Sequence, residues 1–223
     1  MNNIFEFSNI RGGFDSHISN SIPGYDNLLN QTIILANHWL NDDVLKVLDI
    51  GGSTGKLLNA IQQTSGISTP DKFINIDPTV FKDQIDNNLI TFINQDANEY
   101  LTSLNEKIQI AFSLFTLQFT SSDIRQSIIN CLSNIISNDG AFFIAEKFYM
   151  DDSEYQELYS VVLRQLKRDT FSDPDILDKD YKLLKHLKLK KECEFIIQMN
   201  DLGFKCAKYW QSLHFNAFIC TRK

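Results

Sequence analysis

A tight glycine loop is the first feature whose residue types and spacing could do chemistry. The apolar run Val47-Leu48-Asp49-Ile50 leads straight into Gly51-Gly52-Ser53-Thr54-Gly55-Lys56. Gly51 and Gly52 allow a sharp turn and let a ligand approach the backbone, and Gly55 allows close packing where a helix begins. The first turn of that helix offers unpaired N–H groups. The spacing is wrong for a nucleoside-triphosphate loop: Gly51 and Gly55 are too close, and Leu57 stands where a magnesium-holding Ser or Thr is needed. The loop also fits the G-x-G-x-x-G of a dinucleotide fold poorly. Two more carboxylates extend the pattern. Asp77 closes the apolar run Lys72–Ile76, the place from which a carboxylate accepts the hydroxyls of a ribose. Asp96 follows a third run, Leu89–Ile93. A sheet protein with a tight turn and two exposed strand-end aspartates would show the same residues, so the surrounding elements must decide.

Five short apolar runs recur at βα spacing: Lys46–Ile50, Lys72–Ile76, Leu89–Ile93, Ile108–Phe115 and Ala141–Ala145. They lack alternation, as strands buried on both faces of a parallel sheet do. Helix-like segments lie between them at Lys56–Gln63, Ala97–Leu104 and Ser121–Ile136. The last carries one apolar stripe through Ile124, Ile128, Ile129, Leu132, Ile135 and Ile136. Asn138-Asp139-Gly140 reads as a turn before the fifth strand, and Asp26–Leu40 as an amphipathic helix before the first. Beyond Phe148 the pattern changes. Asp151–Arg168 and Ile176–Met199 read as helices with a break at Ser172-Asp173-Pro174, and Gly203 ends the second. Lys205–Trp210 and Leu213–Thr221 then read as an antiparallel pair. The expectation is one α/β domain over 1–223 with a mostly parallel seven-stranded sheet and a terminal antiparallel hairpin. It carries an N-terminal helical segment (1–43) and a helical insert or lid (151–200) between strands five and six.

Composition bounds the rest. With 43% hydrophobic residues in 223, the chain can bury a core, so disorder as the main state is excluded. A net charge of −7 disfavours nucleic acid as a partner. Cys131, Cys193, Cys206 and Cys220 form no C-x-x-C pair and no metal-ligand spacing with His, and read as reduced, buried thiols. No metal site is expected. The N-terminal residues show no signal peptide, and no apolar stretch is long enough to span a membrane, so a cytoplasmic protein is expected.

The series D-x-G-x-x-x-G (Asp49, Gly51, Gly55), then Asp77, then Asp96, resembles the S-adenosylmethionine (SAM) site of the Rossmann-like class I methyltransferases. The terminal hairpin resembles that fold too. Three further segments resemble the carboxy-SAM synthase family in content and order: Ser21-Ile22-Pro23-Gly24-Tyr25, Phe115-Thr116-Leu117-Gln118-Phe119 and Glu146-Lys147-Phe148. The likeness runs over nearly the whole chain. It implies SAM as cofactor, a homodimer, and formation of carboxy-SAM from SAM and prephenate. Carried onto this sequence, it puts Tyr25 near the amino-acid end of the cofactor, Gly51 and Gly55 along it, Asp77 on the ribose and Asp96 at the adenine. Asp49, Gly52, Ser53 and Phe115 complete the candidate cofactor set.

Two positions depart from the family pattern. Leu114 stands where the family has asparagine, and Asp180 falls where it has a carboxylate-anchoring arginine. An aspartate there would repel a carboxylate, although Lys179, Lys182 or Arg168 could substitute. The main expectation is therefore a SAM-dependent transferase acting on a small molecule, by methyl transfer, with the basic residues of the insert leaving room for an anionic one. The alternatives are carboxy-SAM synthesis and an atypical intramolecular cyclisation that releases methylthioadenosine.

His17, Tyr25 and Glu146 are the catalytic candidates. His17 adjoins the S-I-P-G-Y segment, and Glu146-Lys147 ends strand five at the carboxyl edge, where ligands bind in such sheets. Lys179, Lys182, Lys185, His186, Lys188, Lys190 and Lys191 form the basic cluster of the chain, read either as an anion site or as a solvated helix face. Tyr155, Tyr159, Tyr181 and Phe171 of the insert either face a sulfonium or pack the insert onto the sheet.

Overall fold

The structure, a computed structural model, describes residues 13–41 and 43–223. The first twelve residues, part of the expected N-terminal helical segment and the place of the signal-peptide expectation, lie outside the described residues.

The apolar runs become the parallel centre of a sheet. β1 (Lys46–Ile50), β2 (Phe73–Ile76), β3 (Ile90–Ile93), β4 (Ile108–Leu114) and β5 (Ile136–Tyr149) pair in the order β3-β2-β1-β4-β5. β7 (Phe204–Ser212) and β8 (Phe215–Arg222) form the antiparallel hairpin, with β8 laid against β5. Side chains alternate between two cores. Leu48, Ile50, Ile74 and Ile76 meet Ile128, Ile129 and Leu132 of α5 (Ser122–Ile135) on one face. Val47, Phe73, Ile110 and Phe112 meet Leu57, Leu58 and Ile61 of α3 (Lys56–Ser65) and Leu29 and Ala36 of α2 (Tyr25–Ala36) on the other. This is the two-faced burial that the unalternating runs imply.

Several local expectations change. Ile124 sits on the exposed end of the α5 stripe. Asn138-Asp139-Gly140 is no turn: β5 runs through it, with a register shift opposite Ile108 and Ile110. A Cβ on Gly140 would lie 2.5 Å from the Gln109 carbonyl oxygen, so the glycine answers a close strand approach. A further helix, α1 (Phe14–Ser21), precedes α2; α4 (Ala97–Ser103) follows β3.

The insert also differs. α6 (Ser153–Lys167) is as expected, whereas α7 (Asp173–His186) begins before the expected Ile176: Ser172 caps it, and Asp173 and Pro174 of the expected break form its first turn. The helix expected to continue to Met199 stops at Leu187. There the Lys188 N–H bonds the Gln118 carbonyl at 2.7 Å. β6 (Lys190–Lys191), an eighth, two-residue strand, then pairs with Phe148 and Tyr149. Tertiary hydrogen bonds here override a continuous helical pattern. α8 (Glu192–Asp201) restarts and buries Phe195 and Met199 against the sheet, so it covers the core, and of the insert's helices α6 and α7 line the site.

The cysteine reading is corrected as well. Cys206 and Cys220 are joined by a disulfide, Cys193 is exposed and Cys131 half-buried. The bonded pair faces across β7 and β8 with Cα atoms 4.1 Å apart. A cross-strand partner is close in space without being close in sequence.

Candidate functional site

Strand order reverses between β1 and β4, and the loops at the carboxyl ends of the strands part there to leave a crevice. α1, α6 and α7 wall it, giving a cavity of about 490 Å³.

The glycine loop forms one end. Gly51 has φ +72°, and a Cβ on it would lie 2.3 Å from the Thr116 side chain. A Cβ on Gly52 would lie 2.0 Å from Asn75 Oδ1 and 2.7 Å from the Asp49 carboxyl. The loop is thus glycine because side chains of β1, β2 and the β4 end already fill the space. Asp77, at the tip of β2, accepts backbone N–H bonds from Ser53 (3.1 Å) and Thr79 (2.9 Å), which fix its carboxylate toward the cavity mouth. Burial raises its pKa against those hydrogen bonds. Asp49 is buried, and burial followed by the neighbouring Asp77 charge raises its pKa to about 7. Asp96 caps α4 through the N–H groups of Asn98 and Glu99. Thr54 donates to the Asp15 carboxylate at 3.0 Å, tying α1 to the loop.

Tyr25, Asp49, Gly51, Gly52, Ser53, Asp77, Asp96 and Phe115 line the cavity, as does His17. Gly55 stands behind the wall: it has φ +84°, and a Cβ there would lie 2.7 Å from the Phe92 ring. The Tyr25 and Phe115 rings lie 6.2 Å apart, and burial, then Asp49, raises the Tyr25 pKa. Glu146 is a correction. Successive strand residues point to opposite faces, so Lys147 lines the cavity while Glu146 is buried on the other side, paired with the Arg125 guanidinium.

The other end of the cavity is basic. Ser160, Leu163, Arg164 and Lys167 of α6 line it at helical spacing, joined by Lys147 from β5 and Lys179 and Asp180 from α7. Lys179 Nζ lies 2.6 Å from His17 Nε2 and 2.6 Å from Ser21 Oγ. Burial, then Lys167, lowers the pKa of Lys147 and of Lys179 to about 8. Burial, then Lys179 and Lys167, lowers that of His17 to about 4. His17 is therefore neutral at physiological pH. Asp180 bridges Arg164 Nε (2.9 Å) and Lys167 Nζ (3.5 Å).

Most of the basic cluster noted in the sequence stays outside. Lys182 pairs with Asp178, Lys191 with Asp151, and Lys185 sits over the Tyr181 ring. Tyr155 and Tyr181 are exposed, and Phe171 packs edge-on against His17. Sequence reasoning missed Arg164 and Lys167, although their i, i+3, i+4, i+7 relation to Ser160 and Leu163 carried the signal. Among the described residues no group of His, Cys, Asp and Glu could hold a metal, and no helix is long and apolar enough to cross a membrane.

The strand order with its antiparallel hairpin and the crevice at the switch point define the class I methyltransferase fold. A solved structure of this fold, magnesium protoporphyrin IX methyltransferase from Synechocystis PCC 6803 with bound SAH, superposes with a TM-score of 0.59 at 15% identity, covering 90% of this chain and 84% of that one. Within that class, curated relatives are carboxy-S-adenosyl-L-methionine synthases. The one from Ruthia magnifica is 25% identical over 224 residues (96% of this chain, 92% of that protein), and the one from Campylobacter lari is 25% identical over 230 (98% and 94%). No protein-family model matches the chain.

Proposed function

We propose that this protein is a SAM-dependent transferase that acts on a small anionic molecule, by methyl transfer. The observation that carries the reading is the polarity of the crevice. Its glycine-loop end holds Asp49, Asp77 and Asp96, suited to a cationic adenosyl-methionine. Its insert end holds Lys147, Lys167 and Lys179, suited to an anion. In this assignment Asp77 receives the ribose hydroxyls, Asp96 borders the adenine, and Tyr25, Gly51, Gly52, Ser53 and Phe115 line the cofactor. SAM supplies an activated methyl group. The chain's own contribution is positioning: the two ends of the crevice hold the partners in line, and α1, α6 and α7 limit access of water. His17, Tyr25 and Lys179 are the groups near the transfer.

A second reading, carboxy-SAM synthesis, is favoured by the likeness of the chain to carboxy-SAM synthases over 96% of its length and by the lysines at the insert end. The family likeness also supports a homodimer, and Leu158 and Val161 of α6 are exposed apolar side chains that such a contact could cover; sedimentation velocity checks it.

Mass spectrometry of the products separates the readings. Incubation with SAM and a panel of small carboxylic and phosphoric acids is expected to give S-adenosylhomocysteine and a methylated acid. Carboxy-SAM formed with prephenate would establish the second reading instead. Methylthioadenosine released with no acceptor present would replace both with intramolecular chemistry.

A further inference from the structure

The insert end of the cavity is charged asymmetrically. Lys147, Arg164, Lys167 and Lys179 line it, and Asp180 is the carboxylate among them. The Lys147 ammonium has no hydrogen-bond acceptor among the described residues; it lies over the Phe215 ring, 5.9 Å from its centre, and Asp180 is the carboxylate whose charge reaches it. Lys179 is held by the neutral groups His17 and Ser21. The buried Lys167 ammonium has a single anionic partner, Asp180, at the long distance of 3.5 Å. The other acids of the cavity (Asp15, Asp49, Asp77 and Asp96) sit on α1 and the glycine-loop side, and Asp15, Asp77 and Asp96 already accept hydrogen bonds there. Four cations facing one space repel one another unless an anion lies between them.

We propose that Asp180 is a specificity-determining residue, a resident counter-ion whose carboxylate occupies the place on Arg164 and Lys167 that an anionic group of the second substrate takes over. The proposal rests on the transferase reading above and adds which substrates this site accepts. Asp180 lies on the cavity wall with part of its side chain open to solvent, so it can swing away without disturbing the core. An incoming group must offset the loss of the Asp180 contacts. A neutral acceptor has nothing to exchange, and a doubly charged group exchanges better than a singly charged one. The cavity thereby selects dianions, a phosphate monoester or a dicarboxylate, over neutral molecules.

The test is titration of the full chain with inorganic phosphate, malonate and acetate as separate probes. Asp180→Asn keeps the size and removes the charge. It is expected to tighten phosphate or malonate binding about tenfold, and acetate less. Whether phosphate or malonate gains more tells the two sources of charge apart. Lys167→Met placed on top of Asp180→Asn should cancel the gain. Unchanged or weaker dianion binding in folded Asp180→Asn, judged by its melting curve, overturns the proposal and leaves Asp180 as a brace between α6 and α7. Titration of each variant with S-adenosylhomocysteine keeps the two claims apart. Failure of the wild type to bind it defeats the transferase reading, whereas the response of phosphate binding to Asp180→Asn judges this proposal alone.

Discussion

Asp49 offers a test that needs no substrate. Asp49 is only 3% exposed and lies beside Asp77, and burial, then the Asp77 charge, raises its pKa from the usual 3.8 to about 7. In the pH range between those values the folded chain keeps a proton that the unfolded chain has released. The stability linked to this group is therefore fully present below about pH 4, declines as pH rises, and is lost above about pH 7. At about 1.36 kcal/mol per pH unit, the whole span amounts to roughly 4 kcal/mol, and the part between about pH 5 and pH 8 to roughly 3 kcal/mol. Asp49→Asn removes the titration and keeps the shape. Urea unfolding at about pH 5 and about pH 8 should show the variant gaining roughly 3 kcal/mol on the wild type between the two conditions. Any change in packing or hydrogen bonding caused by asparagine cancels in that double difference. A gap between variant and wild type that stays constant with pH would refute the reasoning. So would a gap that grows toward acid.

Other consequences are equally direct. Gly52→Ala forces a Cβ to within 2.0 Å of Asn75 Oδ1 and is expected to destabilise the fold by about 1–3 kcal/mol, read by thermal melts, and to abolish cofactor binding in the protein that still folds. Glu146→Ala leaves the Arg125 guanidinium buried and unpaired; unfolding titration should show a loss of about 3–5 kcal/mol. Because Glu146 faces away from the cavity, the ligand affinity of the folded Glu146→Ala fraction should stay as in the wild type. SAM affinity should increase from about pH 6 to about pH 8 as Asp49 becomes anionic beside a cationic ligand, and calorimetry of Asp49→Asn should show that rise flattened.

The sequence made the parallel sheet legible because its strands are buried on both faces, and such strands leave continuous apolar runs such as Phe73–Ile76. The glycine loop and Asp77 were legible because a turn tight enough to bring Gly52 against Asp49 and Asn75 admits no side chain. What escaped depended on partners distant in sequence. Leu187 ends a helix because Lys188 finds the Gln118 carbonyl. Cys206 meets Cys220 because two strands place them opposite each other. Glu146 and Lys147 looked alike at a strand end until the pleat sent one to Arg125 and the other to the cavity. Asp180, read from the family pattern as a bare repulsive charge, proves to be neutralised by Arg164 and Lys167.

In the proposed assignment the acidic end of the crevice holds an adenosyl-sulfur cofactor through Asp77. Calorimetric titration with S-adenosylhomocysteine, on the wild type and on Asp77→Ala, tests it most directly. Saturable one-to-one binding is expected, weakened about tenfold or more in Asp77→Ala, the scale of a lost hydrogen bond to a charged group. No heat of binding at millimolar ligand, or equal affinity in the variant, would contradict it.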